Sequence, residues 1–277
     1  MKFGFVLPNN WGLPDPAPII DLAVDAERRG FDSVWVNHHV VNVGYIEDRL
    51  DTRPYHDALT VLTWAASKTE RVKLGTSVLV LPYLHPMVLA KALATLDQLS
   101  GGRVIAGVGV GSLPEENAVL GVDYDGRGAS SDEAIEVMQA LWSSPTADHA
   151  GNSYSFAGLK TGPQSRQDPM PLWVGGSGGP ARRRVARYGH GWHPMSSASG
   201  LGRRMPKLVE ELEAQGRDRS AITVAPRVSV EQLPDVAAVE AYREAGADQL
   251  IVGTSSSDID EIRRGLDHLT TLLPEIS

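Results

Sequence analysis

The sequence predicts an α/β fold, a single (β/α)8 barrel with elaborated loops at the C-terminal face of its strands. Three observations predict it. Short apolar runs alternate with amphipathic helical runs from end to end. Those apolar runs are nearly continuous, the mark of parallel strands covered on both faces. Eight such strand–helix units can be counted in 277 residues, and eight units close into a barrel more readily than they form an open sheet. No linker, low-complexity tract or composition break interrupts the chain, so one domain over residues 1–277 is expected.

Phe3 to Leu7 is the first strand, followed by a helix from about Ala17 to Arg29 that Gly30 ends. Ser33 to Val36 is the second strand. A longer loop runs from Asn37 to Arg53, then a helix from about Tyr55 to Lys68. Val72 to Leu81 is the third strand. Pro86 opens a helix with Leu89, Ala92, Leu93, Leu96 and Leu99 on one face, and Gly101-Gly102 terminates it. Val104 to Val108 is the fourth strand. Ser130 and Glu133 have capping-box spacing, which places a helix start there with Ile135, Met138, Leu141 and Trp142 inward. Leu172 to Val174, Gly191 to Trp192, Ile222 to Val230 and Gln249 to Val252 supply the remaining strands. The last helix shows Ile259, Ile262, Leu266, Leu269 and Leu273 at helical spacing. Ser112 to Gly128 is a second long loop. Ala150 to Gln167 is a third, with a small hairpin around Tyr154-Ser-Phe156. Long loops after barrel strands belong to the C-terminal face, where such folds place their sites.

Composition narrows the function classes. The chain has no cysteine, which excludes disulfides, thiolate metal sites and a cysteine nucleophile and suits a reducing cytoplasm. Net charge is −8 with both signs scattered, so no nucleic-acid surface is expected. No apolar run approaches the roughly 20 residues of a spanning helix. The opening Met1-Lys-Phe-Gly-Phe-Val-Leu-Pro8 reads as a strand, not a signal peptide. A soluble cytoplasmic protein without membrane or nucleic-acid partners is expected.

The segment Pro171-Leu-Trp-Val-Gly-Gly-Ser-Gly-Gly-Pro180 is the most informative stretch. A buried strand leads into the side-chain-poor loop Gly175, Gly176, Ser177, Gly178 and Gly179, and Pro180 stands where a helix begins. Unpaired backbone N–H groups and the helix dipole together make an anion site. Glycine lets a phosphate approach because a Cβ would hold it off. A tight, flexible turn is the alternative. Arg182, Arg183, Arg184 and Arg187 surround that helix. Most read as a solvated outer face, with one or two near its start able to attract an anionic tail.

The second strand ends in Trp35-Val-Asn-His-His39, which sets two imidazoles at the strand end, where a neutral ring can exchange protons near neutral pH. A pair of loop histidines bonded to backbone is the alternative. A metal site is not expected, because His56, His85 and His193 lack motif spacing to this pair. Leu74-Gly-Thr-Ser-Val78 and Val108-Gly-Val-Gly-Ser112 carry small residues that admit a flat ligand, or that merely relieve backbone crowding. Of Glu115 and Glu116, at least one reads as a solvated loop charge.

These segments, with Phe3-Gly-Phe-Val-Leu-Pro8, Glu27-x-x-Gly30-Phe-Asp-Ser-Val-Trp35, Leu99-Ser-Gly-Gly-Arg-Val104, the Asp132-Glu133 to Leu141-Trp142 helix and Gly191-Trp-His-Pro194, form an ordered set. In that order the chain resembles the bacterial luciferase-like flavin and deazaflavin oxidoreductases, most of all the branch that uses coenzyme F420. The resemblance covers essentially all of the chain. It implies a TIM barrel that binds the isoalloxazine-like ring at its mouth, the phosphate tail meeting Gly175 to Arg182. It implies a cis non-prolyl peptide at Ser77–Val78 backing the ring. His39 aligns with the acid/base histidine of related sugar-phosphate dehydrogenases. His38 stands where they carry Asp, and Ser112 where they carry Glu. Gly189-His-Gly-Trp192 replaces the Gly-Asp-Gly-Trp of many members. These departures argue against a sugar-phosphate dehydrogenase and leave the cofactor site intact.

The resemblance therefore implies an F420-dependent oxidoreductase that transfers a hydride to or from a small organic substrate, with His39 catalytic. Its cofactor contacts would be Asn37, His38, Ser77, Val78, Gly109, Gly111, Gly175, Gly176, Ser177, Gly178, Gly179, Ala181 and His193. An FMN-dependent monooxygenase of the same fold is one alternative, and a non-redox phosphate-binding barrel is another. A homodimer is implied by the resemblance alone.

Overall fold

Element boundaries in the computed structural model, which describes residues 1–273, follow local chemistry. Strand β1 (Lys2–Val6) leads to helix α1 (Ala17–Arg28), which begins after Pro16 as a fixed proline φ allows. Strand β2 (Ser33–Val36) is followed by α2 (Tyr45–Leu50), a short helix inside the stretch expected to be loop. Helix α3 (Ala58–Lys68) starts three residues later than Tyr55, because the Asp57 side chain caps it by accepting from the Thr60 amide at 2.8 Å. The single strand expected over Val72 to Leu81 is two, β3 (Lys73–Thr76) and β4 (Leu79–Val80), separated at Ser77–Val78, whose peptide bond is cis. Helix α4 (Pro86–Ser100) ends at Gly101 with φ 75°, a left-handed cap that glycine adopts without a Cβ clash.

Strand β5 (Val104–Gly109) is followed by α5 (Pro114–Val119), another helix inside an expected loop, and α6 (Arg127–Ser143). Ser130 and Glu133 do not cap α6, which begins at Arg127. The Ser130 hydroxyl donates to the Arg127 carbonyl, and Glu133 accepts the Ser153 and Tyr154 amides instead. The hairpin around Phe156 is present as antiparallel β6 (Thr146–Ala150) and β7 (Ser155–Lys160). Then come β8 (Leu172–Gly175), α7 (Gly179–Tyr188), β9 (Gly191–His193) and α8 (Ala198–Glu213). The strand expected over Ile222 to Val230 is split into β10 (Thr223–Val224) and β11 (Arg227–Ser229) around Pro226, which has no N–H to give a ladder. Helix α9 (Val236–Glu244), β12 (Gln249–Gly253) and α10 (Ile259–Leu272) complete the chain.

The main sheet is parallel and curled, with nine strands in the order β10-β9-β8-β5-β3-β2-β1-β12-β11 and β4 paired to β5. Alternation along each strand sorts side chains to two layers. Phe3, Phe5, Val34, Val36, Val104, Leu172, Val174, Leu250 and Val252 face the helices in the large core. Val6, Trp35, Ile105, Trp173, Ala225 and Ile251 pack together inside the curl.

Inside that curl, large residues fit only because glycines oppose them. A Cβ on Gly75 would lie 2.2 Å from the Trp35 ring, and one on Gly191 would lie 2.5 Å from Trp173. The two indoles meet at 5.1 Å between centroids, and His193 stacks on Trp35 at 5.3 Å. This aromatic layer is the floor on which the C-terminal strand ends rest.

Candidate active site

Parallel strands bring their C-terminal ends to one side, and there a cavity of about 580 Å³ opens. Ten of the expected cofactor contacts line it: Asn37, His38, Ser77, Val78, Gly109, Gly111, Gly175, Gly176, Ser177 and His193, as does His39. Gly178, Gly179 and Ala181 lie just beyond, at the start of α7.

Val78 forms the back wall. An added Cβ on Gly109 would come within 2.6 Å of its Cγ2, and one on Gly175 within 2.9 Å of its Cγ1. The neighbouring strands are therefore bare backbone where Val78 projects, so a flat group can rest against this wall. Gly111, with φ 77°, continues the bare surface, since a Cβ there would lie 2.8 Å from Val80 Cγ1. The residues fit a planar ring.

Beneath that wall runs a polar chain. Arg227 Nη1 donates to Asn37 Oδ1 at 2.7 Å and to Ser77 Oγ at 2.9 Å. His193 Nδ1 faces the Ala225 carbonyl at 2.6 Å, so that nitrogen carries the proton. Its Nε2 then accepts from the Ser77 hydroxyl at 2.8 Å. Burial pushes the His193 imidazole down to about 4, which keeps it neutral in this role. Burial also lowers the Arg227 guanidinium, to about 10, and leaves it cationic at neutral pH. Asn37 is fixed by the backbone N–H bond to Asn9 Oδ1 at 2.9 Å and by its amide to Asn10 Oδ1 at 3.0 Å.

The two strand-end histidines divide. His38 is buried, and its Nδ1 accepts the Val80 amide at 3.2 Å; burial pushes its imidazole down to about 4. It is a neutral strut that ties β2 to β4. His39 faces the cavity, and its Nδ1 meets Glu116 Oε2 at 2.5 Å. Glu116 is not a solvated loop charge. It lies fully buried on α5, where its other oxygen accepts the Val40 amide at 2.7 Å. Burial works to raise the Glu116 carboxyl, but the bonds from His39 and Val40 outweigh it and hold the group below its ordinary value. The neighbouring Glu115 is the exposed one. A carboxylate on Nδ1 fixes that proton and leaves Nε2 as the lone-pair nitrogen, which takes a hydrogen bond from the Tyr45 hydroxyl at 3.0 Å.

At the far rim, the Gly175–Gly179 loop runs into α7. Gly176 has φ +106°, a conformation that L residues rarely adopt, and a Cβ on it would lie 3.0 Å from Ala181 Cβ. Gly178 caps α7 without a side-chain hydrogen bond, so the first-turn amides keep their donors for a ligand. The Ser177 hydroxyl is already committed to the Met195 carbonyl at 2.7 Å.

Two of the four arginines here differ from their expected outer-face role, and Arg183 and Arg187 keep it. Arg182 and Arg184 are buried, the first paired with Glu211 at 3.2 Å and the second with Asp132 at 2.5 Å. Arg187 pairs with Glu136 at 2.9 Å. Arg183 is exposed, its Nη1 only 3.1 Å from where a Cβ on Gly179 would stand.

Comparison with known proteins places this geometry. A family model described as luciferase-like monooxygenase matches residues 1–270. The chain belongs to the luciferase-like monooxygenase family. A luciferase-like relative from Kineococcus radiotolerans, named F420-dependent glucose-6-phosphate dehydrogenase, is 34% identical over 230 residues, 79% of this chain and 66% of that protein. One of the same name from Beutenbergia cavernae is 38% identical over 245 residues, 84% of this chain and 69% of its own. The chain thus spans about two thirds of the length of these curated relatives. A solved F420-dependent secondary alcohol dehydrogenase, in complex with an F420-acetone adduct, shares the fold with a TM-score of 0.85 at 22% identity, covering 100% of this chain and 99% of its own.

Within this luciferase-like site, sequence reasoning missed Asn10, Tyr45, Arg49, Tyr55 and Arg227, all of which line the cavity. Tyr45 and Arg49 lie on α2, inside a stretch with no visible periodicity. Arg227 follows Pro226, and that break in the strand was the one available signal for it. Among the described residues, no helix is long and apolar enough to cross a membrane.

Proposed function

We propose that this luciferase-like chain is an oxidoreductase that transfers a hydride between coenzyme F420 and a small organic substrate. The observation that carries the reading is the side-chain-free wall around Val78, continuous with the glycine loop at the start of α7. The curated relatives named F420-dependent support the choice of coenzyme. When bound, the deazaflavin supplies a two-electron centre that accepts or gives a hydride. Val78, Gly109 and Gly175 would hold its ring. The amides of the Gly176–Gly179 loop, with Arg183 beside them, would hold the phosphate.

His39 manages the proton. With Glu116 on Nδ1, its Nε2, once the Tyr45 hydroxyl yields its place to the substrate's, takes the hydroxyl proton of an alcohol being oxidised, or returns one to a carbonyl being reduced. Glu116 stabilises the imidazolium that forms. The chain Arg227–Ser77–His193 would give the ring's site a fixed positive edge.

Three readings accompany this one. The strand segment 223–229 bonds to β9 through Ala225 N to Trp192 O (2.8 Å) and to β12 through Ile251 N to Pro226 O (3.0 Å). These bonds support closure of the sheet into one (β/α)8 domain. The lack of cysteine supports a reducing cytoplasm as its working place, and a homodimer rests on the family resemblance alone.

Titration with F420, followed by intrinsic tryptophan fluorescence, tests the proposal. Saturable binding in the micromolar range is expected. A protein that takes up FMN in preference to F420, or neither, refutes it.

A further inference from the structure

The cavity contains a guanidinium that the hydride-transfer reading does not use. Arg49 lies four residues after Tyr45 on α2, so both side chains leave the same face of that helix, and both line the cavity. Its Cζ sits 4.5 Å over the Trp11 ring, which holds the plane of the fork. Among the described residues it forms no ion pair, and its Nε is buried without a hydrogen-bond partner. Arg49 is half-buried, and of its fork only Nε is closed off from water without a partner; an unpaired donor in a cavity wall is a ready place for an acceptor.

The neighbourhood agrees. Arg182, Arg184 and Arg187 on α7 each have a carboxylate. Glu116, the buried carboxylate on α5, is already spent on His39 and the Val40 amide. Burial raises the phenols of both Tyr45 and Tyr55, and the charge of Arg49 draws both back. Arg49 is therefore close to both rings. Tyr55 in turn packs edge-on to His39 at 5.7 Å between centroids.

We propose that Arg49 is a substrate-docking residue, and that the substrate is a small hydroxy or oxo compound bearing an oxyanion, a carboxylate or a phosphate. The planar fork grips such a group with two parallel N–H bonds. Because Tyr45 on the same helix face reaches His39, an anion held at Arg49 directs the rest of the molecule toward the proton-handling nitrogen. This rests on the hydride-transfer reading for the word substrate. The anion site itself does not.

The test is calorimetric titration of the F420-loaded protein, and of the chain alone, with succinate, inorganic phosphate and the neutral succinamide. Wild type should bind one anion at least about tenfold more tightly than succinamide, the gain expected of a charge-assisted pair. Succinate ahead of phosphate marks a carboxylate substrate, and the reverse order marks a phosphate ester. Arg49→Met should erase the preference, whereas Arg49→Lys, which keeps the charge and loses the fork, should retain part of it. F420 affinity should stay within twofold in both variants. Equal binding of succinate, phosphate and succinamide, or a preference that survives Arg49→Met, overturns the proposal. So does Arg49→Met weakening F420 in place of the probes, which would make Arg49 a cofactor contact. Failure to take up F420 sinks the hydride-transfer reading only, because the titrations on the chain alone still report on Arg49.

Discussion

His39 Nδ1 and Glu116 Oε2, 77 residues apart in sequence, meet at 2.5 Å at the cavity edge, with the carboxylate fully buried and the imidazole partly open. A buried carboxylate on one ring nitrogen dictates that the other works on the substrate. Glu116→Gln keeps the shape but lets the amide N–H donate to Nδ1, which reverses the tautomer. We expect kcat to fall by about a hundredfold, the scale of lost acid–base assistance, with little change in F420 affinity. Steady-state rates beside fluorescence titration check this. Unchanged kcat would remove Glu116 from the proton path.

His39→Ala and Gly176→Asp should fail in opposite ways. The first removes the proton-handling group and leaves the Val78 wall untouched, so turnover falls by about 10²–10⁴ while cofactor affinity holds. The second places a Cβ on a backbone with φ +106° and adds a negative charge beside the anion loop. F420 affinity should drop at least tenfold. Equal effects on affinity would mean that the roles are misassigned.

Gly109→Ala probes the wall directly. The new methyl would stand 2.6 Å from Val78 Cγ2, so Val78 must shift into the space assigned to the ring. Thermal unfolding should show a loss of about 1–3 kcal/mol, as overpacking does, and F420 affinity should fall more than tenfold. Full affinity in this variant would place the ring elsewhere.

The strands were legible because buried parallel strands are apolar without interruption, and Leu172 to Val174 or Ser33 to Val36 could be read almost to the residue. The break at Ser77–Val78, where the peptide is cis, came from the family resemblance; the one at Pro226 was passed over, although proline cannot donate to a ladder. Glu115 and Glu116 show the limit most plainly. Adjacent identical residues carry the same sequence signal, yet α5 turns one to solvent and the other into contact with His39. Arg182 and Arg184 misled in the same way, because their carboxylate partners Glu211 and Asp132 lie on other helices, far off in sequence. Strand-end position put His39 and the Gly175–Gly179 loop on the side where the cavity opens, whereas Val78 came from the family resemblance, and position did not separate His39 from the buried His38.

Buried neutral histidines make stability pH-dependent in a defined window. His38 and His193 have folded-state values near 4 against the ordinary 6.5, in each case through burial. Between those values the unfolded chain binds protons that the folded chain refuses, so stability is full above about 6.5 and declines as pH falls toward 4. Each contributes up to about 3 kcal/mol over that range. His190, also lowered by burial, acts in the same direction. The carboxylates held below their ordinary values, Glu27, Glu116 and Glu133, lose their contribution only further down, below about 4.5. Denaturant midpoints should therefore decline between pH 6.5 and 4.5, above the range in which the lowered carboxylates contribute most of their own loss. The double variant His38→Gln, His193→Gln, though less stable at pH 7, should lose visibly less over that interval. An equally steep decline in the double variant would show that these two rings are not the groups excluded from protonation.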